Sequence, residues 1–367
     1  MVRRIVIKLG SSTLTAGTSR LSLPRFVEIA RQVSGLSQNG NEVILVSSGA
    51  MAAGKEQLNY PQLPRDIPAK QMLAAIGQLR LMAVYEQVFG LYGMTIAQIL
   101  LTRADLADRR RYLNSRNALM ALLAQNVIPI INENDTVATE EIRVGDNDNL
   151  SALVANLIDA DTLIVLTDQP GLFTADPRRS DNAQLITDIT EPEIPESIWQ
   201  AAGGTNSSIG TGGMFTKLQA ADLARRSGTM VIIAPGKEAD VLTRLVAGEA
   251  IGTRFHPSVT AIESRKRYIL TGGNARGAVS IDAGAARALR KGGSLLAVGM
   301  TAVESDFERG DPIRILTVNG SELARGLTNY TSADLRRILG CKSDEIETVL
   351  GYHYGDEVVH HNNLVLL

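Results

Sequence analysis

The sequence is short of most groups that announce a function on their own. Its 367 residues include one cysteine, Cys341, and four histidines, His256, His353, His360 and His361. A lone cysteine excludes an intramolecular disulfide and fits a reducing compartment. It reads as an inert thiol in a helix near the C-terminus. No two histidines stand at the helical spacing of a ligand pair, so a histidine metal site is not expected. Aromatic residues make up only 4%, which argues against a surface built to stack single-stranded nucleic acid. The formal net charge of −2 excludes a globally basic protein, although a local basic patch is compatible with it. The N-terminal apolar run before Lys8 is three residues long, against the roughly 7–15 of a signal-peptide core, and no run approaches the roughly 20 of a membrane span. The chain is therefore expected to be soluble and cytoplasmic.

What is present is a 44% apolar content suited to an α/β protein packed with Ala, Leu, Ile and Val. The length allows two domains. Apolar runs predict strands at 4–9, 42–46, 95–100, 127–131, 162–166 and 230–234. Between them, 3.6-residue periodicity predicts helices at 23–36, 69–89, 111–125, 150–158 and 218–226. Strands alternating with helices mean βα units and a mainly parallel sheet. Residues 176–207 are polar and proline-bearing and read as a loop or lid. Past about residue 250 the helices shorten and turn signals crowd in, as at Gly272-Gly273-Asn274 and Arg309-Gly310-Asp311-Pro312. That change predicts a second, small β-rich domain. The division is placed as residues 1–254, a linker at 255–274, and 275–367.

The chain is organised around residues 127–159. An apolar strand runs into a loop dense in Asn132, Glu133, Asn134, Asp135, Glu140, Glu141, Asp146, Asn147, Asp148 and Asn149, and then into a helix. Open α/β sheets place ligands where strands end in such loops. On chemistry alone, this loop could be a carboxylate cage for a divalent cation.

Four other stretches could carry chemistry. Gly49–Lys55 matches the G-x-x-x-x-G-K pattern after a strand, but Glu56 stands where a hydroxyl must ligate Mg²⁺. Ser47-Ser48-Gly49-Ala50 reads better as a tight strand-to-helix turn, either ordinary or able to hold a small anion. Lys8 ends an otherwise apolar strand before Gly10-Ser11-Ser12; it is either a snorkelling edge-strand lysine or a phosphate clamp. Gly210-Thr211-Gly212-Gly213-Met214-Phe215-Thr216-Lys217 precedes an amphipathic helix. There Lys217 stands against the helix dipole, which points to an anionic ligand. Thr167-Asp168-Gln169-Pro170-Gly171 is a strand end followed by a turn.

Together these motifs resemble the amino-acid kinase family and, within it, the branch acting on glutamate. The resemblance rests on Ile7–Gly10, Ser48-Gly49-Ala50, Asn132–Asp135, Gly145–Asn149, Thr167–Leu172 and Gly210–Lys217, in order along the chain. Residues 275–354 look like a PUA domain, a module that contacts RNA in other proteins. The resemblance implies a three-layer αβα sandwich around a mainly parallel sheet, followed by the PUA-like domain. It implies transfer of the ATP γ-phosphoryl to the γ-carboxylate of L-glutamate with Mg²⁺, and Lys8, Lys217 and Asp148 as catalytic residues. Ser48, Gly49, Ala50, Asn132, Asp135, Asp146 and Asn147 would bind the acceptor. Lys8, Thr167, Asp168, Thr211, Gly212, Gly213, Met214, Phe215, Thr216 and Lys217 would bind ATP. Metal-ligating side chains are not expected, since Mg²⁺ would be held mostly by phosphate and water. Asp148 is expected to orient the two lysines, and Asp146 competes between substrate contact and helix capping. Proline as feedback inhibitor, a homo-oligomer (dimer or tetramer) and hand-off to glutamyl phosphate reductase are further implications. The alternatives are another acceptor, such as aspartate, or RNA binding through the tail domain. There Arg287, Arg290, Lys291, Arg336 and Arg337 are interspersed with Glu304, Asp306, Glu308, Asp311, Asp344, Glu345 and Glu347.

Overall fold

A computed structural model describes all residues except 1–2, 65, 139–146, 176, 178–179, 181, 204–212 and 260–274. The chain divides into two compact units, one of Met1–Leu106 with Ser115–Thr260 and the other of Ala107–Asn114 with Ala261–Leu367. Most of the linker expected at 255–274 lies outside the described residues, and Phe255 closes a strand of the first unit.

The first unit begins with β1 (Arg4–Leu9), α1 (Ser11–Leu14), α2 (Leu23–Gln38) and β2 (Glu42–Ser47). It continues through α3 (Ala50–Gln57), α4 (Ile67–Gly90), β3 (Ile96–Leu101), α5 (Arg103–Ala107) and α6 (Arg109–Ala124), whose start belongs to the second unit. Then come β4 (Ile128–Glu133), α7 (Asn147–Leu157), β5 (Thr162–Thr167), β6 (Leu172–Phe173), β7 (Leu185–Ile186) and β8 (Asp188–Ile189). The last elements are α8 (Glu196–Ala201), α9 (Met214–Arg225), β9 (Met230–Pro235), α10 (Val241–Val246) and β10 (Thr253–Phe255).

The eight-stranded sheet has the order β3-β4-β2-β1-β5-β9-β10-β8. From β3 to β9 all neighbours are parallel; β10 is antiparallel to β9 and carries β8 parallel to itself. The strands reach one direction from β1 through β2 and the other through β5 and β9. The strand order therefore reverses beside β1, and the C-terminal ends of β1 and β5 frame the crevice where such sheets bind ligands.

Side chains alternate across a strand. Ile5, Ile7 and Leu9 pack with Phe26, Val33, Leu81, Val84 and Tyr85 of α2 and α4. Val6 and Lys8 consequently face the opposite layer, where α7 and α9 pack together against the sheet. Lys8 sits in an interior strand and is 5% exposed, so it does not snorkel from an edge.

Several element bounds differ from expectation. β4 runs on through Asn132 and Glu133, paired with Leu100 and Leu101, so these two belong to the buried strand rather than to the loop. A buried backbone must pair its N–H and C=O groups, and the ladder supplies the partners. α7 starts three residues earlier than its apolar face announces, bringing Asn147 and Asp148 into the first turn. The 176–207 stretch holds β7, β8 and α8. Cys341 lies between helices rather than in one, packed against the second unit's core.

The G-x-x-x-x-G-K pattern has a packing explanation. Gly54 lies inside α3, and a Cβ there would stand 2.0 Å from the Leu73 carbonyl oxygen. A Cβ on Gly77 would stand 1.7 Å from the Ala50 oxygen and 2.4 Å from the Gly54 nitrogen. The backbones of α3 and α4 touch here, which fixes the turn that precedes α3. Gly77→Ala is expected to destabilise the protein by about 3 kcal/mol, because neither backbone can yield without shifting a helix. Gly35→Ala, in α2 with nothing within 4 Å of the added Cβ, is expected to stabilise by about 0.5–1 kcal/mol. Thermal melts of the two variants check both signs.

The second unit is built around a five-stranded sheet with the order β13-β11-β14-β15-β17. In chain order, β11 (Gly277–Ile281) leads to α11 (Ala283–Arg290), β12 (Leu295–Leu296), β13 (Met300–Glu304), β14 (Pro312–Thr317) and β15 (Glu322–Leu327). α12 (Ser332–Arg337), α13 (Ile346–Leu350), β16 (Glu357–Val359) and β17 (Leu364–Leu366) follow. Val279, Ile281, Ile313, Ile315, Leu335 and Ile338 form its separate core.

Candidate active site

The site is assembled where α7 and α9 begin, against the C-terminal end of β1. Asp148 occupies the first turn of α7, where a negative charge is favoured by the helix dipole. Its Oδ1 lies 2.6 Å from Lys8 Nζ and its Oδ2 3.3 Å from Lys217 Nζ. Thr216 Oγ1 donates to the same Oδ2 at 2.7 Å. One carboxylate thus gathers two ammonium groups from two different elements, with all three side chains buried.

Burial alone would push the Asp148 carboxyl up, but the charges of Lys8 and Lys217 outweigh it and hold the carboxyl below its ordinary range. Lys217 moves the other way: burial lowers its affinity for a proton, and Asp148 only partly offsets that. In the first turn of α9 it also opposes the helix dipole. Two ammonium groups meet one carboxylate directly, and the charge of Asp168 also acts on Lys217. Two helix N-termini add the free N–H groups of their first turns. The arrangement is a receptor for a multiply charged anion.

A second cluster adjoins the first. Gly49 sits at φ +103° immediately ahead of α3, a conformation suited to a residue without Cβ. Asn147, beside Asp148, directs its amide nitrogen to Ser47 O at 3.2 Å, Ser48 Oγ at 3.0 Å and Asn132 Oδ1 at 2.9 Å. Two hydrogens serve three acceptors, so this nitrogen ties the ends of β2 and β4 to the start of α7. Asp135, on the loop after β4, has its carboxyl pushed up to about 6 by desolvation. Partly shielded from water, its charged form gains from a cationic partner.

On the side of β5, Thr167 Oγ1 donates to Asp168 Oδ1 at 3.1 Å. Phe215 meets the chain's single tryptophan, Trp199 of α8, edge-on at 5.7 Å between ring centres. Gly213, Met214, Phe215, Thr216 and Lys217 are described at the start of α9. Thr211, Gly212, Asp146, Glu140 and Glu141 lie outside the described residues. Among the described residues no three His, Cys, Asp or Glu side chains are grouped as metal ligands.

The comparisons with known proteins decide the family. The model of the amino acid kinase family matches residues 3–235, and that of the PUA domain matches residues 277–350. The chain belongs to the amino acid kinase family. A glutamate 5-kinase of Shewanella oneidensis is 54% identical over 366 residues, covering 100% of this chain and 98% of the relative. One of Photobacterium profundum is 54% identical over 364 residues, with 99% and 96% covered. One of Deinococcus radiodurans is 54% identical over 365 residues, with 99% and 100% covered. The first unit carries the amino acid kinase fold, a mostly parallel sheet with helices on both faces, and a β-rich PUA domain follows.

Residues of this amino acid kinase that were not anticipated come from α4. Gln71 Nε2 reaches the Thr136 and Ala138 carbonyls at 3.2 and 3.3 Å. Gln78 accepts from Asn132 Nδ2 at 2.8 Å, and Tyr85 shares a 2.8 Å hydrogen bond with Ser47 Oγ. The three are spaced by seven, on one stripe of the helix. Their seven-residue spacing was the available signal, and Lys70, Arg80, Glu86 and Gln87 on the same helix obscure it.

Proposed function

We propose that the chain transfers the γ-phosphoryl of ATP to the γ-carboxylate of L-glutamate, releasing ADP and γ-glutamyl phosphate for proline biosynthesis. The observation that carries the reading is the Lys8–Asp148–Lys217 cluster, in a chain more than half identical to glutamate 5-kinases along its whole length. Phosphoryl transfer is catalysed chiefly by positioning and charge stabilisation. Lys8 and Lys217, with the α9 N-terminus, neutralise oxygens as charge spreads over them in the transition state. Asp148 holds both ammonium groups in place. A carboxylate oxygen of the acceptor attacks phosphorus and the bond to the ADP oxygen breaks. No general base is required, because a carboxyl with a pKa of about 4.3 is already ionised at neutral pH. Thr167, Asp168 and the Thr211–Lys217 segment contact the nucleotide.

Mg²⁺ fits as an ion that arrives with the nucleotide. The buried carboxylate of the site is engaged by Lys8, Lys217 and Thr216, leaving coordination to phosphate and water. When bound, the ion supplies further neutralisation of phosphate charge.

Ser48, Gly49, Ala50, Asn132, Asp135, Asp146 and Asn147 bind the acceptor, with Asp135 receiving its ammonium. Ionised Asp135 is the binding form, so kcat/KM for glutamate is expected to fall on the acid side as pH drops through about 6. Asp135→Asn should lower kcat/KM and remove that limb. A pH profile of kcat/KM for both proteins checks it.

Proline presents the same ammonium and α-carboxylate and competes for this site. Exposed Met72, Leu79 and Leu91 on and beside α4 support a homo-oligomer formed through the kinase unit. A labile acyl phosphate favours direct hand-off to glutamyl phosphate reductase. No helix among the described residues is long and apolar enough to cross a membrane, in keeping with a cytoplasmic biosynthetic enzyme. Measuring ADP release with L-glutamate, L-aspartate and N-acetyl-L-glutamate tests the acceptor. Glutamate is expected to give the highest kcat/KM, and a clear preference for either of the others would overturn the reading.

A further inference from the structure

The polar atoms around Asn132 fix one another's orientation, and their direction leaves two ends open. The Glu133 backbone N–H donates to Asn132 Oδ1 at 2.9 Å, and Asn147 Nδ2 donates to the same oxygen. A backbone N–H can only donate, so Asn132 must present its oxygen there and its Nδ2 on the other side. Asn132 Nδ2 faces Gln78 at 2.8 Å, so Gln78 must answer with Oε1. That assignment leaves Gln78 Nε2, a donor shielded from solvent, without a partner among the described residues. At the other end, Asn147 has its nitrogen committed to three acceptors, and its Oδ1 is buried without a partner among the described residues. A shielded donor and a shielded acceptor at the ends of one amide chain are costly unless a ligand completes them.

We infer that Gln78 is an acceptor-binding residue whose Nε2 donates to the α-carboxylate of the amino acid, while Asn147 Oδ1 accepts from its ammonium. An α-amino acid carries the complementary pair on one carbon. Gln78 would then read the α-carboxylate, while Asn147 reads the ammonium that separates an amino acid from a plain carboxylic acid. The inference rests on the proposed amino-acid acceptor and adds a residue from α4 to a site otherwise built from strand ends and the α7 start.

Two substitutions separate substrate contact from support of Asn132. Gln78→Glu keeps an oxygen for Asn132 Nδ2 but replaces the donor with a negative charge. Gln78→Met removes both functions at similar length. Substrate contact predicts that KM for glutamate rises about 10-fold in Gln78→Met and about 100-fold in Gln78→Glu. KM for ATP should stay within about twofold, since the nucleotide lies on the other side of the cluster. A glutamate KM for Gln78→Glu near the wild-type value, or below that of Gln78→Met, would overturn the inference, as would equal rises for glutamate and ATP. Wild-type turnover with glutamate in the same assay keeps the acceptor reading separate: its absence would overturn both, whereas its presence with the wrong order of variants overturns only the role of Gln78.

Discussion

Asp148→Asn is expected to lower kcat by about three orders of magnitude while leaving the KM for ATP equal or lower. The carboxylate does no chemistry of its own; it sets where two ammonium groups stand. Removing its charge leaves Lys8 and Lys217 buried with an amide that can neutralise neither. Deleting one member of a buried charged cluster typically costs about 3–5 kcal/mol of stability, so the variant should also melt at a lower temperature. ATP carries negative charge of its own and offsets the lysine charge that Asp148 no longer neutralises. Ground-state nucleotide binding is therefore maintained while transition-state alignment is lost. Added nucleotide should recover more thermal stability in the variant than in the wild type. Steady-state kinetics with melts, with and without ATP, test this; a kcat within tenfold of wild type would remove Asp148 from the catalytic account.

Lys217→Met is expected to reduce kcat about 10²–10³-fold with no loss of thermal stability. Methionine keeps an unbranched apolar stem, so the packing of α9 against α7 persists. The ammonium it removes is buried, stands against the dipole of its own helix, and is 3.3 Å from a carboxylate that retains Lys8 as a closer partner. Burial and the helix dipole both work against this charge, and the proposed function accounts for it by the anion that Lys217 would meet during turnover. The combination separates function from structure. A variant that loses activity and stability together would mark Lys217 as structural, and one that keeps near-normal turnover would remove it from catalysis.

Much of this was legible in the residues. Strands such as Arg4–Leu9 and Thr162–Thr167 are apolar runs of strand length closed by polar turns, and they lie where their pattern places them. Lys8, the charge near the C-terminal end of its strand, proved to be buried and paired. The division of labour inside the carboxylate-rich stretch was less legible. Asn132 and Glu133 look like loop residues by composition, yet pairing with β3 draws them into the sheet. Gly54 and Lys55 imitate a phosphate loop because a close helix crossing requires glycine as stringently as a phosphate does. Gln71, Gln78 and Tyr85 are separated from the strand ends they support by long stretches of chain. Only the folded arrangement of α4 against those ends joins them to the site.

In the proposed reaction the phosphoryl group passes to the side-chain carboxylate of glutamate. Hydroxylamine traps an acyl phosphate as a hydroxamate whose position records the carboxyl that was activated. With ATP, Mg²⁺ and L-glutamate, γ-glutamyl hydroxamate is expected to form in step with ADP, one for one. ADP release without hydroxamate, or a hydroxamate at the α-carboxyl, would contradict it.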